Sequence, residues 1–252
     1  MITITEHAIN HIPTIVVTKY TIQDEPLPTV VYFHGFTSAK EHNLPFAHLL
    51  AKENYRVILP DSQWHGEREN NISETKKQLS FWEIVLENIQ DAQTIKQYLD
   101  DQQLIDSDRF GVAGTSMGGV TTAALLTTYD WINVAAILMG SPKITAFAQW
   151  LLEQFPDKSK LPDENKIAKL METLAKYDLS SQLHTLKNRP LLLWHGDADR
   201  VVPFNHAAQF YEQAKQVYTN DQHLQFIQAP DQDHKVSRAA ILKTVTWFKK
   251  YL

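Results

Sequence analysis

The run Val112-Ala113-Gly114-Thr115-Ser116-Met117-Gly118-Gly119 carries the residue types of an activated hydroxyl nucleophile. Arg109 to Ala113 reads as a short buried strand, and Val120 onward, through Thr121, Ala123, Ala124, Leu125 and Leu126, reads as a helix. The glycine-serine run is therefore a strand-to-helix turn. Where a serine occupies such a turn, the backbone doubles back so tightly that the residues two before and two after it must lack a β-carbon, and Gly114 and Gly118 meet that requirement. Ser116 Oγ would then stand exposed at the carboxyl end of a sheet, near the positive end of the following helix dipole. The bare Gly-x-Ser-x-Gly pattern arises by chance in roughly one chain of this length in ten, so its weight rests on the flanking strand and helix and on partners elsewhere in the chain.

A serine hydroxyl is a poor nucleophile near neutral pH unless a base takes its proton, and that base works best when a carboxylate fixes its tautomer and orientation. Two aspartates, Asp197 and Asp199, follow an apolar run at 191–194, and His234 follows another at 224–227. Of the eleven histidines only His234 comes directly after the last strand, whereas His206 lies inside a helix and His223 precedes a strand. His34 and His195 precede glycines at strand ends and read as braces for those turns. His65, in the loop Ser62 to Arg68, either borders a substrate cleft or is a solvated loop histidine. The oxyanion of an acyl-transfer intermediate needs preorganised N–H donors, and the turn itself offers one, the Met117 amide. No His-x-x-x-His or His-Glu pair converges with a third ligand, so no metal site is expected, and the chemistry requires no cofactor.

Strands are expected at 2–9 and 12–20, paired as a hairpin at a sheet edge, then at 29–33, 55–59, 109–113, 134–139, 191–194 and 224–227. The continuous apolar character of Thr29 to Phe33 suits a strand buried on both faces of a mainly parallel sheet. Helices are expected at about 40–53, at 81–99, where Phe81, Ile84, Val85, Ile89, Ala92, Ile95 and Leu99 recur at helical spacing, at 203 to about 218, and at about 235–251. Between 143 and 187 the alternation of strand and helix stops, and an amphipathic helical stretch broken at Pro156 and Pro162 takes its place. It reads as an inserted cap over the carboxyl edge of the sheet, the competing reading being an ordinary pair of peripheral helices.

At 252 residues with 43% apolar content, one large α/β domain spanning 1–252, with 143–187 as its insertion, accounts for the chain. A net charge of −5 without a basic stripe argues against nucleic acid or an anionic membrane as partner. The absence of cysteine excludes disulfides, thiolate metal sites and cysteine nucleophiles together. The first residues alternate like a strand, without a basic and apolar leader pattern, and no apolar run nears the ~18 residues of a membrane span, so a cytoplasmic protein without stable membrane association is expected. A homodimer is compatible with the edge hairpin or the insertion.

The motifs His34-Gly35-Phe36, Gly114-Thr115-Ser116-Met117-Gly118-Gly119, His195-Gly196-Asp197-Ala198-Asp199-Arg200-Val201-Val202-Pro203 and Asp233-His234 resemble, in this order over nearly the whole chain, the α/β-hydrolase superfamily. They look closest to bacterial carboxylesterases of its prolyl-oligopeptidase-like and dienelactone-hydrolase-like branch. The resemblance implies an α/β-hydrolase fold: a mainly parallel central sheet flanked by helices, with a helical cap insertion. It puts the triad acid at Asp199, leaving Asp197 to bond loop amides, and the second oxyanion donor at the backbone N–H of Phe36. The expected function is a serine carboxylesterase acting on small, short-chain acyl esters through Ser116, Asp199 and His234. Trp64, His65, Phe147 and Trp150 are candidate substrate-binding residues. A serine peptidase acting on short peptides and a non-catalytic binding protein on the same fold are the competing readings. Parallel assays on nitrophenyl esters and aminoacyl nitroanilides separate the first two, and an intact triad argues against the third.

Overall fold

A computed structural model describes residues 1–252. Eight strands form one sheet: β1 (Ile2–Ile9), β2 (Ile12–Lys19), β3 (Leu27–Phe33), β4 (Arg56–Pro60), β5 (Ile105–Thr115), β6 (Val134–Leu138), β7 (Leu191–Gly196) and β8 (Leu224–Ala229). Their spatial order is β1-β2-β4-β3-β5-β6-β7-β8. The β1–β2 hairpin joins the edge antiparallel, and every pair from β4 onward is parallel. Parallel strands need crossovers, and the helices that supply them cover both faces. These are α1 (Leu44–Ala51), α2 (Glu74–Leu79), α3 (Phe81–Asp101), α4 (Met117–Thr128), α5 (Ile144–Gln154), α6 (Glu164–Ala175), α7 (Phe204–Ala214) and α8 (Arg238–Tyr251).

Alternation along each strand divides the core in two. Val31, Phe33, Ile58, Val112, Ile137 and Leu193 face α3, α4 and α7, whereas Val30, Tyr32, Val57, Leu59, Ala136 and Trp194 face α1 and α8. With both faces covered, β3, β4, β6 and β7 are buried at every residue, which is why 30–33, 57–59, 134–138 and 191–194 read as unbroken apolar runs.

The boundaries depart from the sequence expectation where local chemistry sets them. Helix α4 begins at Met117 rather than Val120, directly after Ser116. The stretch from 40 opens with a 3-10 turn, Lys40–Asn43, before α1, which carries Pro45 in its first turn. Helix α8 begins at Arg238, capped by Ser237, whose side chain accepts from the Ala240 amide, so Val236 precedes the helix. Helix α2 lacks an apolar periodicity; its N-cap Ser73 accepting from the Lys76 amide is the signal that marks it. Between β6 and β7, α5 and α6 occupy the 143–187 stretch, separated by Pro156, a 3-10 turn and Pro162, and Ile144, Phe147, Ala148 and Leu174 anchor them to the core. No helix is long and apolar enough to cross a membrane.

Candidate active site

Ser116 sits between β5 and α4 with φ 56° and ψ −114°, a sparsely populated conformation that costs of order 1–3 kcal/mol and persists only where its surroundings enforce it. They do. A β-carbon on Gly114 would lie 2.2 Å from the carbonyl carbon of Gly118, and one on Gly118 would lie 2.0 Å from the Phe33 oxygen. The Ser116 amide donates to Leu138 O at 2.8 Å, tying the turn to the end of β6. The half-buried hydroxyl is thereby held above the carboxyl ends of β3, β5 and β6.

The loops after β7 and β8 bring the acid and base to it. His234 Nδ1–H donates to Asp199 Oδ2 at 2.7 Å, and Ser116 Oγ–H donates to His234 Nε2 at 2.8 Å. A carboxylate can only accept, so this pairing sets the tautomer that leaves Nε2 free to take a proton. The Asp199 carboxylate is fully shielded from solvent. Burial alone would raise its pKa, but hydrogen bonds from His195, His234 and the Val202 amide outweigh burial and hold it well below the usual carboxylate range. Asp199 Oδ1 also accepts from the amides of Val201 (2.8 Å) and Val202 (2.9 Å). Asp197 instead accepts from the Asp231 amide at 2.8 Å, stitching the two loops together. His195 lies 3.1 Å from Asp199 Oδ2 and donates through Nε2 to Val202 O at 3.0 Å. The rival histidines are engaged elsewhere, His206 with Ser141 Oγ at 2.9 Å and His223 with Asn188 O at 2.8 Å.

Met117 is the first residue of α4, so its amide has no carbonyl partner within that helix. The turn of Gly35 and Phe36 runs directly alongside, since a β-carbon on Gly35 would stand 3.5 Å from Ser116 Cβ. Two buried histidines fix that turn, and a buried lysine ties the chain after it to the loop that follows β4. His34 donates from Nδ1 to Gly35 O at 2.8 Å and accepts the Ser62 amide on Nε2 at 3.0 Å; burial pushes its pKa down to about 4. His65 donates from Nδ1 to Gln63 O (2.8 Å) and accepts the Thr37 amide on Nε2 (3.1 Å), and burial lowers its pKa as well. Lys40, 1% exposed, reaches Asp61 Oδ2 (2.8 Å), Glu67 Oε1 (2.5 Å) and Glu41 Oε1 (2.9 Å). Burial opposes its charge, but these bonds outweigh burial and raise its pKa.

Two cavities meet at Ser116. One, of about 350 Å³, lies between the α2–α3 region and the α5–α6 segment and is walled mainly by apolar side chains, among them Leu79, Phe81, Phe147, Leu151, Leu170 and Val202. The other, of about 280 Å³, opens on the side of His234. Of the candidate substrate-binding residues Phe147 lines the first cavity, together with Phe36, whereas Trp64, His65 and Trp150 line neither. Trp64 packs on the core with its indole Nε1 enclosed. His65 is buried as a brace, and Trp150 stacks on Phe147 with ring centroids 5.9 Å apart. Leu79 and Leu170 were missed as wall residues because their aim depends on tertiary placement. Away from both cavities, His11, Glu87 and Asp91 bring potential metal-ligand atoms within 4.8 Å of one another, although Arg68 already pairs with Asp91 (2.5 Å) and Glu87 (3.7 Å).

Comparison with known proteins bears on the family and the fold. Residues 47–252 match the model of the prolyl oligopeptidase family. YitV of Bacillus subtilis, whose esterase name is provisional, is 42% identical over 100% of both chains. Esterase YjfP of Escherichia coli is 31% identical over 91% of each. Among solved structures, TT1662 from Thermus thermophilus superposes with a TM-score of 0.79 at 15% identity, covering 99% of this chain and 98% of that one, a likeness of fold. The eight-stranded, mainly parallel sheet is that of an α/β-hydrolase, and the chain belongs to the prolyl oligopeptidase family.

Proposed function

We propose that this α/β-hydrolase is a carboxylesterase that cleaves small acyl esters by two-step acyl transfer through Ser116, His234 and Asp199. The observation that carries the reading is the continuous hydrogen-bond chain from Ser116 Oγ to His234 Nε2 and from His234 Nδ1 to Asp199 Oδ2, at 2.8 and 2.7 Å. The esterase names of YitV and YjfP, both matched nearly end to end, support ester over peptide substrates.

In the first step His234 takes the Ser116 proton as Oγ attacks the ester carbonyl carbon, and the imidazolium that forms is stabilised by the buried Asp199 carboxylate. The backbone amides of Phe36 and Met117 receive the oxyanion of the tetrahedral intermediate. Collapse breaks the bond to the alcohol oxygen, which takes the proton from His234 Nε2, and the acyl group stays on Ser116. Water then repeats the sequence through His234, releasing the acid and restoring the serine.

The test is a parallel assay of p-nitrophenyl butyrate and a set of aminoacyl p-nitroanilides on wild type and Ser116→Ala. Turnover of the ester alone, abolished in Ser116→Ala, is expected. Turnover of the anilides with the ester untouched would favour a peptidase.

A further inference from the structure

The two cavities at Ser116 differ in chemistry, and the position of His234 decides which half of an ester each receives. Ser116 and Phe36 line both, whereas His234 lines only the smaller one. In an acyl transfer the leaving oxygen must accept the His234 Nε2 proton as its bond to carbon breaks, so the alcohol has to extend on the side of His234. The acyl group, retained on Ser116 Oγ, is left with the larger cavity under α5 and α6.

From this we infer that the substrate joins an apolar acyl chain of medium length, longer than butyrate, to a small polar, hydroxyl-bearing alcohol. The inference rests on the carboxylesterase reading and specifies its substrate class. The acyl side is walled by Leu79, Phe81, Phe147, Leu151, Ile167 and Leu170. Its volume of about 350 Å³ equals roughly ten water-sized spaces at ~30 Å³ each. An acetyl methyl would leave nearly all of that space to water against apolar walls, whereas an unbranched chain of about six to ten carbons would fill it.

The alcohol side is different in kind. Tyr32, Ser38, His42, Asn43, Thr115 and Lys235 contribute polar groups there. Ser38 and His42 are already joined at 2.9 Å, and Tyr32 with Thr115 at 2.5 Å, so their hydroxyls and ring are partly committed. A hydroxyl-bearing alcohol can still exchange hydrogen bonds with these groups, because a hydroxyl that donates one bond keeps lone pairs to accept others. An alkyl alcohol would make none of these bonds.

Two ratios test the inference, because ratios cancel differences in folded enzyme. The first is kcat/KM along p-nitrophenyl acetate, butyrate, hexanoate and octanoate. A rise of roughly fourfold per added methylene is expected while the chain is still being buried, which corresponds to ~0.8 kcal/mol each. Leu170→Trp, which occupies the cavity, should cut the octanoate-to-acetate ratio at least tenfold. The second compares glycerol mono-octanoate with hexyl octanoate by acid release: the glycerol ester is expected to be the better substrate by about tenfold, an advantage that the double variant Ser38→Ala, His42→Ala should largely remove. A maximum at acetate or butyrate, or a hexyl ester preferred to the glycerol ester, overturns the inference. Titration of the active serine with a fluorophosphonate in the same preparations separates the two failures. Enzyme that labels but ranks the esters the other way has lost only the assignment of substrate class, whereas enzyme that fails to label has lost the carboxylesterase reading beneath it.

Discussion

Asp197 and Asp199 lie two residues apart and have unrelated tasks. Asp199 is buried and orients His234, whereas Asp197 holds a loop amide at the surface. Asp199→Asn should therefore lower kcat/KM by about 10⁴-fold with the fold intact, the cost of presenting the wrong tautomer to the serine. Asp197→Asn should change it by no more than about twofold, within the usual range for surface positions; steady-state kinetics on p-nitrophenyl butyrate checks both. His34 gives a prediction in pH. Its acceptor bond to Ser62 requires a neutral ring, and its pKa falls from 6.5 unfolded to about 4 in the folded chain. Its contribution to stability is thus complete above pH 6.5 and is lost as the pH falls toward 4, up to about 3 kcal/mol in all. A ¹⁵N titration should find the His34 ring neutral, protonated on Nδ1, down to about pH 4.5; a midpoint near 6.5 would refute the brace. Sequence could propose Ser116 and His234 because each stands at a strand end, where backbone position largely fixes reach, whereas the choice of Asp199 over Asp197 came from the family resemblance. It could not aim Trp64, His65 or Trp150, whose directions depend on packing partners far away in the chain.

The strand–serine–helix turn is the most constrained element, and its glycines can be ranked by what a methyl would strike. Gly118→Ala would drive a β-carbon to 2.0 Å from the Phe33 oxygen, backbone against backbone, so β3 or α4 must move. A loss of about 1–3 kcal/mol or more, together with most of the activity, is expected. Gly35→Ala meets only ordinary contacts at 3.5 Å and should leave the melting temperature within about 2 °C. Equal melting temperatures for the two variants would contradict the close approach of β3 and α4. The elements themselves were legible where they are apolar or amphipathic, as in β3, β7 and α3. Helix α2 was not, because its sequence Glu74-Thr75-Lys76-Lys77-Gln78-Leu79 has no apolar face to betray it, and the start of α4 was misjudged because its first turn is the glycine pair Gly118-Gly119.

Over the whole molecule, chemistry gathers at the carboxyl ends of the strands, and stabilising anchors stand at the other. Arg189, just before β7, donates to the carbonyls of Tyr129 (2.8 Å), Ile132 (3.3 Å), Leu126 (2.6 Å) and Thr185, binding the end of α4 to the chain that leads into the sheet. Arg189→Met leaves these buried acceptors unpaired and should cost about 2–4 kcal/mol, or roughly 4–16 °C in melting temperature, while kcat of the folded fraction is unchanged. A fall in kcat at full stability would mean the two ends are not separable. The alternation of apolar runs with amphipathic helices revealed the fold at this level, because a parallel sheet must be covered on both faces; which walls the cavities would have was not legible, since they form only where α2, α3, α5 and α6 converge. The most direct test of the account is fluorophosphonate labelling of wild type, Ser116→Ala and His234→Ala, read by intact mass and peptide mapping. One adduct on wild type, mapped to Ser116 and absent from Ser116→Ala, with labelling of His234→Ala slowed by orders of magnitude, is the predicted result. A folded wild type that takes no adduct, or takes it at another residue, would contradict Ser116 as the nucleophile.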